Sequence, residues 1–259
     1  MARRLPVALA LLALPIGVSA CGGGGRSTSG GTTATTPAAA EHAVKAAAEK
    51  TAKVGSLDLA LTASTTASGA PVLVQGTGAF DTKAHKGRLH LGFSAGGLAS
   101  TADVVLEGTS LYVHSPLFTF GIPGGKSWIK LDLRKGATAA GVDLSKLLAQ
   151  DPTKALEALR GVTRVTELGP ATVQGVSTTR YRARVAATAG GRAPAGTYEV
   201  WVGDDGYIHR VRTVVAAAGG TKVTATSTLS GFGDQVTVTV PPAAKTYTST
   251  TGSLPVPAG

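Results

Sequence analysis

Few side chains in this sequence could do chemistry. It holds one cysteine, Cys21, and five histidines: His42, His85, His90, His114 and His209. One sulfur can neither close an internal disulfide nor build a Cys-rich zinc module. No two histidines stand at H-x-x-x-H spacing, so no metal site is expected. The chain has no G-x-S-x-G, which removes the α/β-hydrolase nucleophile. Gly76-x-Gly78 leads into Phe80-Asp81 rather than a third glycine and a helix, so it is not a phosphate loop. Asp204-Asp205 resembles a paired-carboxylate site, but Gly206 follows at once between two strand patterns, and the pair reads as a turn. Glu157 and Glu167 have no evident partner carboxylate. No catalytic residue and no cofactor are therefore expected, and an enzyme is the least supported class.

Arginine offers a different chemistry. Arg180, Arg182 and Arg184 alternate with Tyr181, Ala183 and Val185, which places all three on one face of a strand. Arg210 and Arg212 are expected to do likewise two strands over, with Trp201 on the strand between. A guanidinium over an indole makes a cation–π pair. These six side chains are either a solvated sheet face or a surface that meets anionic headgroups or a lipoglycan.

Composition bounds the rest. Of 259 residues, 43% are hydrophobic, 15% charged and 5% aromatic, with 35 glycines and a net charge of +10. The apolar share is too high for a fully disordered chain. The glycine share is about twice the ordinary one and, with the Ala, Thr and Val content, points to a β-rich chain with many turns. Basic residues are dispersed and aromatics scarce, so no nucleic-acid partner is expected.

The N-terminus carries the sharpest signal. Arg3 and Arg4 precede an apolar run from Leu5 to Val18. As a helix this run would span roughly 21 Å, short of the ~30 Å hydrocarbon core of a bilayer. That is the layout of a secretory signal over residues 1–20. Val18-Ser19-Ala20-Cys21 then resembles the bacterial lipobox: an aliphatic residue, two small ones and a cysteine whose thiol takes a diacylglycerol. The alternative is ordinary secretion with cleavage after Ala20. Two acyl chains give stable membrane anchoring where one does not. Losing residues 1–20 removes two arginines and no acid, so the mature charge falls by two to +8. The expected location is the extracytoplasmic face of the cell membrane, held by lipidated Cys21.

Residues 22–40 are Gly, Ser, Thr, Ala and Pro with Arg26 as a charge, and read as a flexible tether. As a Gly-rich coil they would span roughly 24 Å. The folded domain is placed at 41–243 and a disordered tail at 244–259. Glu41–Val54 has helical character. Period-two alternation then predicts strands around Leu57/Leu59/Leu61, Val72/Val74, Leu89/Leu91/Phe93, Val104/Leu106, Leu111/Val113 and Ile129/Leu131/Leu133. A helical pair is predicted next. Val142–Gln150 carries Leu144, Leu147 and Leu148, and a second helix restarts at Asp151-Pro152 and carries Leu156 and Leu159. Strands resume at 163–168, 175–186, 197–202, 222–231 and 235–240, with a hairpin at Asp204-Asp205-Gly206. The class is α+β, with about eleven antiparallel strands and a few helices.

The order of these features is similar to one family. The lipobox and helix lead to an antiparallel run, then Lys126-Ser127-Trp128-Ile129-Lys130-Leu131 and a helical insertion of the Leu-Leu-x-x-x-Pro kind. Tyr198–Gly206 follows, then a strand with Arg210 and Arg212, then Phe232–Val238 and Pro241-Pro242. Over about residues 41–243 this resembles the actinobacterial LppX/LprAFG lipoproteins and, more broadly, the LolA-like superfamily. The resemblance implies a strongly bent half-barrel sheet wrapped over helices, with an apolar cavity between them that holds the acyl chains of lipids or lipoglycans. Large aromatics and methionine are scarce here, so such a pocket would be lined by Leu, Val and Ala.

Two readings follow. In the first the protein is a tethered monomer that carries a lipid or lipoglycan, with a cavity lined by Leu57, Leu59, Leu61, Val104, Leu106, Leu111, Val113, Ile129, Leu131, Leu147, Leu148, Leu156 and Leu159. In the second these same residues are ordinary core, and the protein is a structural or interaction lipoprotein of the cell envelope.

Overall fold

The computed structural model describes residues 36–67, 69–117, 121–135, 138–139, 142–143, 156, 159–185, 196–216 and 222–249. Helix α1 spans Pro37–Ala52. The strands are β1 Ser56–Ala67, β2 Ala70–Asp81, β3 Lys86–Ala95, β4 Leu98–Glu107, β5 Ser110–His114, β6 Trp128–Asp132, β7 Thr138–Ala139, β8 Val142–Asp143, β9 Thr163–Val173, β10 Val176–Val185, β11 Gly196–Gly203, β12 Ile208–Ala216, β13 Lys222–Ser230 and β14 Thr246–Thr248. Twelve of them form one curved, unclosed sheet in the order β14-β6-β5-β4-β3-β2-β1-β13-β12-β11-β10-β9. All neighbours are antiparallel except β14, which runs parallel to β6. The small pair β7–β8 stands apart from this sheet.

Helix α1 starts where local chemistry says it should. The Thr36 hydroxyl accepts a hydrogen bond from the Ala39 amide, and Pro37 occupies the first turn, where its missing N–H costs nothing. Glu41–Lys45 and Glu49–Lys53 are i,i+4 ion pairs on the solvent side. Ala40, Val44, Ala47, Ala48 and Thr51 make the buried stripe. Three alanines let the helix lie close to the sheet. The Thr51 hydroxyl donates to the Ala47 carbonyl at 2.7 Å and accepts from the Ile208 amide at 2.9 Å, which satisfies a buried backbone donor of β12. Lys50 donates to the Asp205 carbonyl in the β11–β12 turn and lies over the Tyr207 ring. The helix thus covers one half of the inner face, joining Leu57, Leu59, Val165, Tyr181, Ala183, Val200, Ile208 and Leu229 in one core. A second core, with Leu89, Val104, Leu111, Val113, Ile122, Ile129 and Leu131, lies on the inner face of β3–β6.

Between the two cores the sheet bends through glycine. Leu59, Gly78 and Leu89 form one cross-strand row, Leu61, Gly76 and Leu91 the next, and Phe80, Gly87 and Leu106 a third. A Cβ on Gly78 would sit 2.4 Å from the Arg88 carbonyl oxygen, and one on Gly87 would sit 2.4 Å from the Phe80 ring. Leucine and phenylalanine fold over these gaps, so the residue with no side chain is the one the close approach requires.

The structure moves several predicted boundaries. Helix α1 begins at Pro37, so the last residues assigned to the tether are helical; their Ala/Pro content hid the Thr36-Pro37 start signal. Val142–Asp143 is strand, paired with Thr138–Ala139, and not the start of a helix. Leu144, Leu147, Leu148 and the Asp151-Pro152 restart lie outside the described residues, as do residues 1–35. Residues 235–240 alternate in burial yet form no strand. Both edges of β13 are already taken by β1 and β12, so the chain leaving it finds no free edge until it reaches β6. There Thr246–Thr248, assigned to a disordered tail, pairs as β14, with the Ser249 amide donating to the Lys130 carbonyl. The sheet therefore has twelve strands rather than about eleven.

Replacing Gly78 with Ala should destabilise the protein by about 1–3 kcal/mol, because the clash is with backbone and cannot be relieved by a rotamer change. Gly97→Ala, at a hairpin tip with nothing within 4 Å of a Cβ but φ of 84°, probes backbone strain alone. Paired denaturant midpoints measure both effects; equal destabilisation would remove the packing role assigned to Gly78.

Candidate functional site

Of the expected cavity residues, Leu147 and Leu148 lie outside the described residues; the other eleven fall on the inner face or pack against it, and most are tightly packed. Leu57, Leu111, Ile129, Leu131 and Leu159 are fully buried, and Leu59, Val104, Val113 and Leu156 nearly so. Leu57, Leu59, Leu156 and Leu159 join the α1 core, while Val104, Leu111, Val113, Ile129 and Leu131 join the β3–β6 core. Leu61 packs against both and Leu106 against the second, each half-buried. Inside the second core, Phe80, Gly87, Leu89, Val104, Leu106 and Leu111 enclose a void of about 20 Å³, enough for about one water molecule. The β1–β2 and β3–β4 hairpin tips lie beyond the Leu59–Gly78–Leu89 row. In that direction Leu61, Val74, Leu91 and Phe93 are half-buried, and no sequence signal separated them from the filled rows below.

The arginines lie on the outer face, as their alternation requires. Arg180 pairs across the sheet with Trp201, and Trp201 with Arg210; Arg182 pairs with Glu199, and Glu199 with Arg212. Arg180 Nη2 donates to Glu199 Oε2 at 2.8 Å, Arg182 Nη2 donates to Glu199 Oε1 at 3.1 Å, and Arg212 Nη1 lies 3.7 Å from Oε2. The Arg180 and Arg210 guanidiniums sit 5.2 and 5.8 Å from the Trp201 ring centroid. Arg210 Nε also donates to Thr228 Oγ1. Arg184 is exposed, one pair further along.

Sequence reasoning missed Glu199. It shares the period-two alternation of Trp201, which is the available signal, but the sequence does not show which cations stand opposite it. Its side chain is only 9% exposed although it lies on the outer face, because the arginines cover it. Burial pushes its pKa up, but hydrogen bonds and charge from Arg180 and Arg182 outweigh that, and the carboxyl is held below the usual range. Three guanidiniums thus meet one carboxylate, with Arg210 on the neighbouring Trp201 ring, and the cluster stays positive.

The remaining chemical groups are structural. Asp205 sits in the β11–β12 turn as expected, accepts from the Tyr207 amide and contacts His209, which is 5% exposed. Burial raises the Asp205 pKa, and the Tyr207 amide, His209 and Lys50 more than reverse that. His90 pairs with Asp103 at 2.6 Å, and His114 donates to the Ser127 carbonyl. Among the described residues no group of three His, Cys, Asp or Glu side chains could hold a metal ion, and no helix is long and apolar enough to cross a membrane.

A curved open sheet with one helix on its inner face can be compared directly with solved structures. LprF from Mycobacterium bovis superposes with a TM-score of 0.52 at 14% identity, over 80% of this chain and 99% of that one. The fold is LprF-like. Mycobacterium tuberculosis lipoprotein LppX matches with a TM-score of 0.46 at 18% identity, over 79% of this chain and 100% of that one. No protein-family model matches the sequence, and no curated protein matches it.

The depressed Glu199 pKa has a definite sign. Its stabilising contribution is fully present above the unfolded carboxylate value, near 4.3, and is lost as pH falls through the lower folded value. Glu199→Gln should therefore lower stability at neutral pH and flatten the acid side of the stability curve. Thermal melts from neutral to acid pH test this; parallel curves for the two proteins would separate Glu199 from the acid response.

Proposed function

We propose that this protein is a lipid-anchored extracytoplasmic lipoprotein that binds or carries a lipid or lipoglycan against the inner face of its sheet. The observation that carries this reading is the half-buried apolar stretch of Leu61, Val74, Leu91 and Phe93 on the inner face of an LprF-like open sheet. The family that the sequence resembles uses this face for acyl chains, and Val18-Ser19-Ala20-Cys21 supplies the anchor. Acyl carriage needs no catalytic residue. Each buried methylene contributes about 0.8 kcal/mol before entropic losses. The filled rows below serve as the floor of the site, so the ligand stretch lies nearer the hairpin tips than Leu111 or Leu131 does. The outer arginines around Glu199 and Trp201 supply a salt-sensitive contact for anionic headgroups.

One observation favours a second reading. The void within the β3–β6 core is no larger than a water molecule, as a structural or interaction lipoprotein with a filled core requires.

Native mass spectrometry of the purified mature chain separates the two. The carrier reading expects an acyl lipid that co-purifies and is lost in Leu61→Glu/Leu91→Glu. A chain that never holds lipid supports the filled-core reading. Intact mass also tests the anchor: membrane-extracted protein should carry a diacylglycerol that Cys21→Ala abolishes.

A further inference from the structure

One end of the sheet differs from the other in charge. Strands β1, β3 and β5 run toward the first end and β2, β4 and β6 return from it, so the β1–β2, β3–β4 and β5–β6 connections all lie there. The β12–β13 connection joins them, because Ala216 pairs with Lys222 while Ser64 of β1 pairs with Thr224. The sequence through these tips is free of charge over long runs: residues 59–80, 91–102 and 115–125 contain no Asp, Glu, Lys, Arg or His. The far end is the reverse, with Asp81, Lys83 and Lys86, Glu107, and Asp204-Asp205 at its turns. Among the described strand residues nearest the tips, the charges of β10 to β13 are the cations Arg184 and Lys222.

Apolar side chains are exposed at the same end. Leu98, at the β3–β4 tip after Gly96-Gly97, is 80% exposed, and Leu117, in the β5–β6 connection, is 46% exposed. Among the described residues there is one other exposed large hydrophobic, Leu168 at 38%, on edge strand β9. Leucine on a glycine-hinged tip with no acid nearby gains nothing from water and gains burial in a bilayer interface. An uncharged apolar tip flanked by cations is the composition that enters an anionic headgroup layer.

We propose that this end of the sheet is a membrane-contacting surface that inserts Leu98 and Leu117 into the interface of a bilayer containing anionic lipid. The half-buried inner-face residues Leu61, Val74, Leu91 and Phe93 lead directly to these tips. The proposal rests on the distribution of charge and apolar exposure and does not depend on acyl carriage or on lipidation of Cys21.

The test uses the chain from residue 21 with Cys21→Ser, which keeps every described element. Its co-sedimentation with phosphatidylcholine vesicles containing phosphatidylglycerol is measured at low and high salt. High salt screens the outer arginines and leaves the apolar contact. Binding should persist at high salt and fall roughly tenfold or more in Leu98→Asp/Leu117→Asp, while Leu168→Asp binds like the parent. A Leu98→Trp variant should also be quenched by brominated acyl chains. No binding at high salt, an unchanged double variant, an equal loss in Leu168→Asp, or an unquenched Trp at position 98 would each overturn the proposal. All three leucines are exposed, and superimposable thermal melts establish that the variants fold.

Discussion

The rest of the structure follows from a mismatch of sizes. Twelve strands at about 4.8 Å spacing make a sheet roughly 53 Å across. A sixteen-residue helix is about 24 Å long and some 10 Å wide, so α1 can shield only part of the inner face. It covers the half that carries β9 to β13, where small side chains let it sit close. Among the described residues no helix lies over the other half, which is covered by its own side chains. Glycine in the central rows makes this possible: with Gly76, Gly78 and Gly87 opposite leucine and phenylalanine, the sheet bends and the large side chains fold inward. Among the described residues, curvature is what covers the inner face of β3 to β6, assisted by Ile122 and Tyr247.

The same shortage of cover shapes the outer face. Trp201 and Glu199 are unusual occupants of a face with no helix on it among the described residues, one apolar and one charged, yet both are buried. Arginine solves both problems together. Its guanidinium lies over the indole and its N–H groups reach the carboxylate, so one side chain type covers an apolar ring and neutralises an acid. Lysine could not do this with the same geometry, because an ammonium offers no planar fork. The network is part of the outer wall, and its arginines leave an excess of positive charge on that face.

Much of this was legible from residue alternation. Period two identified the sheet, placed Leu57/Leu59/Leu61 and Leu111/Val113 on the inner face, and put the arginines on the other. Cross-strand neighbours were not legible, because register depends on turns and bulges far from the residues concerned. The role of Glu199 depends on that register, which sets Arg182 on one side of it and Arg212 on the other. Composition misled at both termini. Pro37–Ala40 and Thr246–Thr248 look like linker by content, but a cap residue fixes the first and an available strand edge fixes the second. The alternation of Val236, Val238 and Val240 predicted a strand that no edge could accept. Pairing needs a partner as well as a pattern.

An open sheet must also keep its edges from other chains, and this one does so by different means on each side. At the β6 edge, β14 returns from the far side of the sheet and pairs in parallel, so the chain's own C-terminal segment occupies the site a foreign strand would take. Among the described residues no strand pairs with the outer edge of β9, and this edge is irregular. Pro170 lacks a donor, Gly169 has φ of 99°, and the β9–β10 register shifts between Arg180 and Tyr181. Bulge and proline bend the edge out of the flat geometry that strand addition needs. Closing the sheet into a barrel would have removed both edges, but it would also have sealed the inner face. A sheet that stays open leaves that face unsealed, and edge protection is the condition on which it can stay open without recruiting foreign strands.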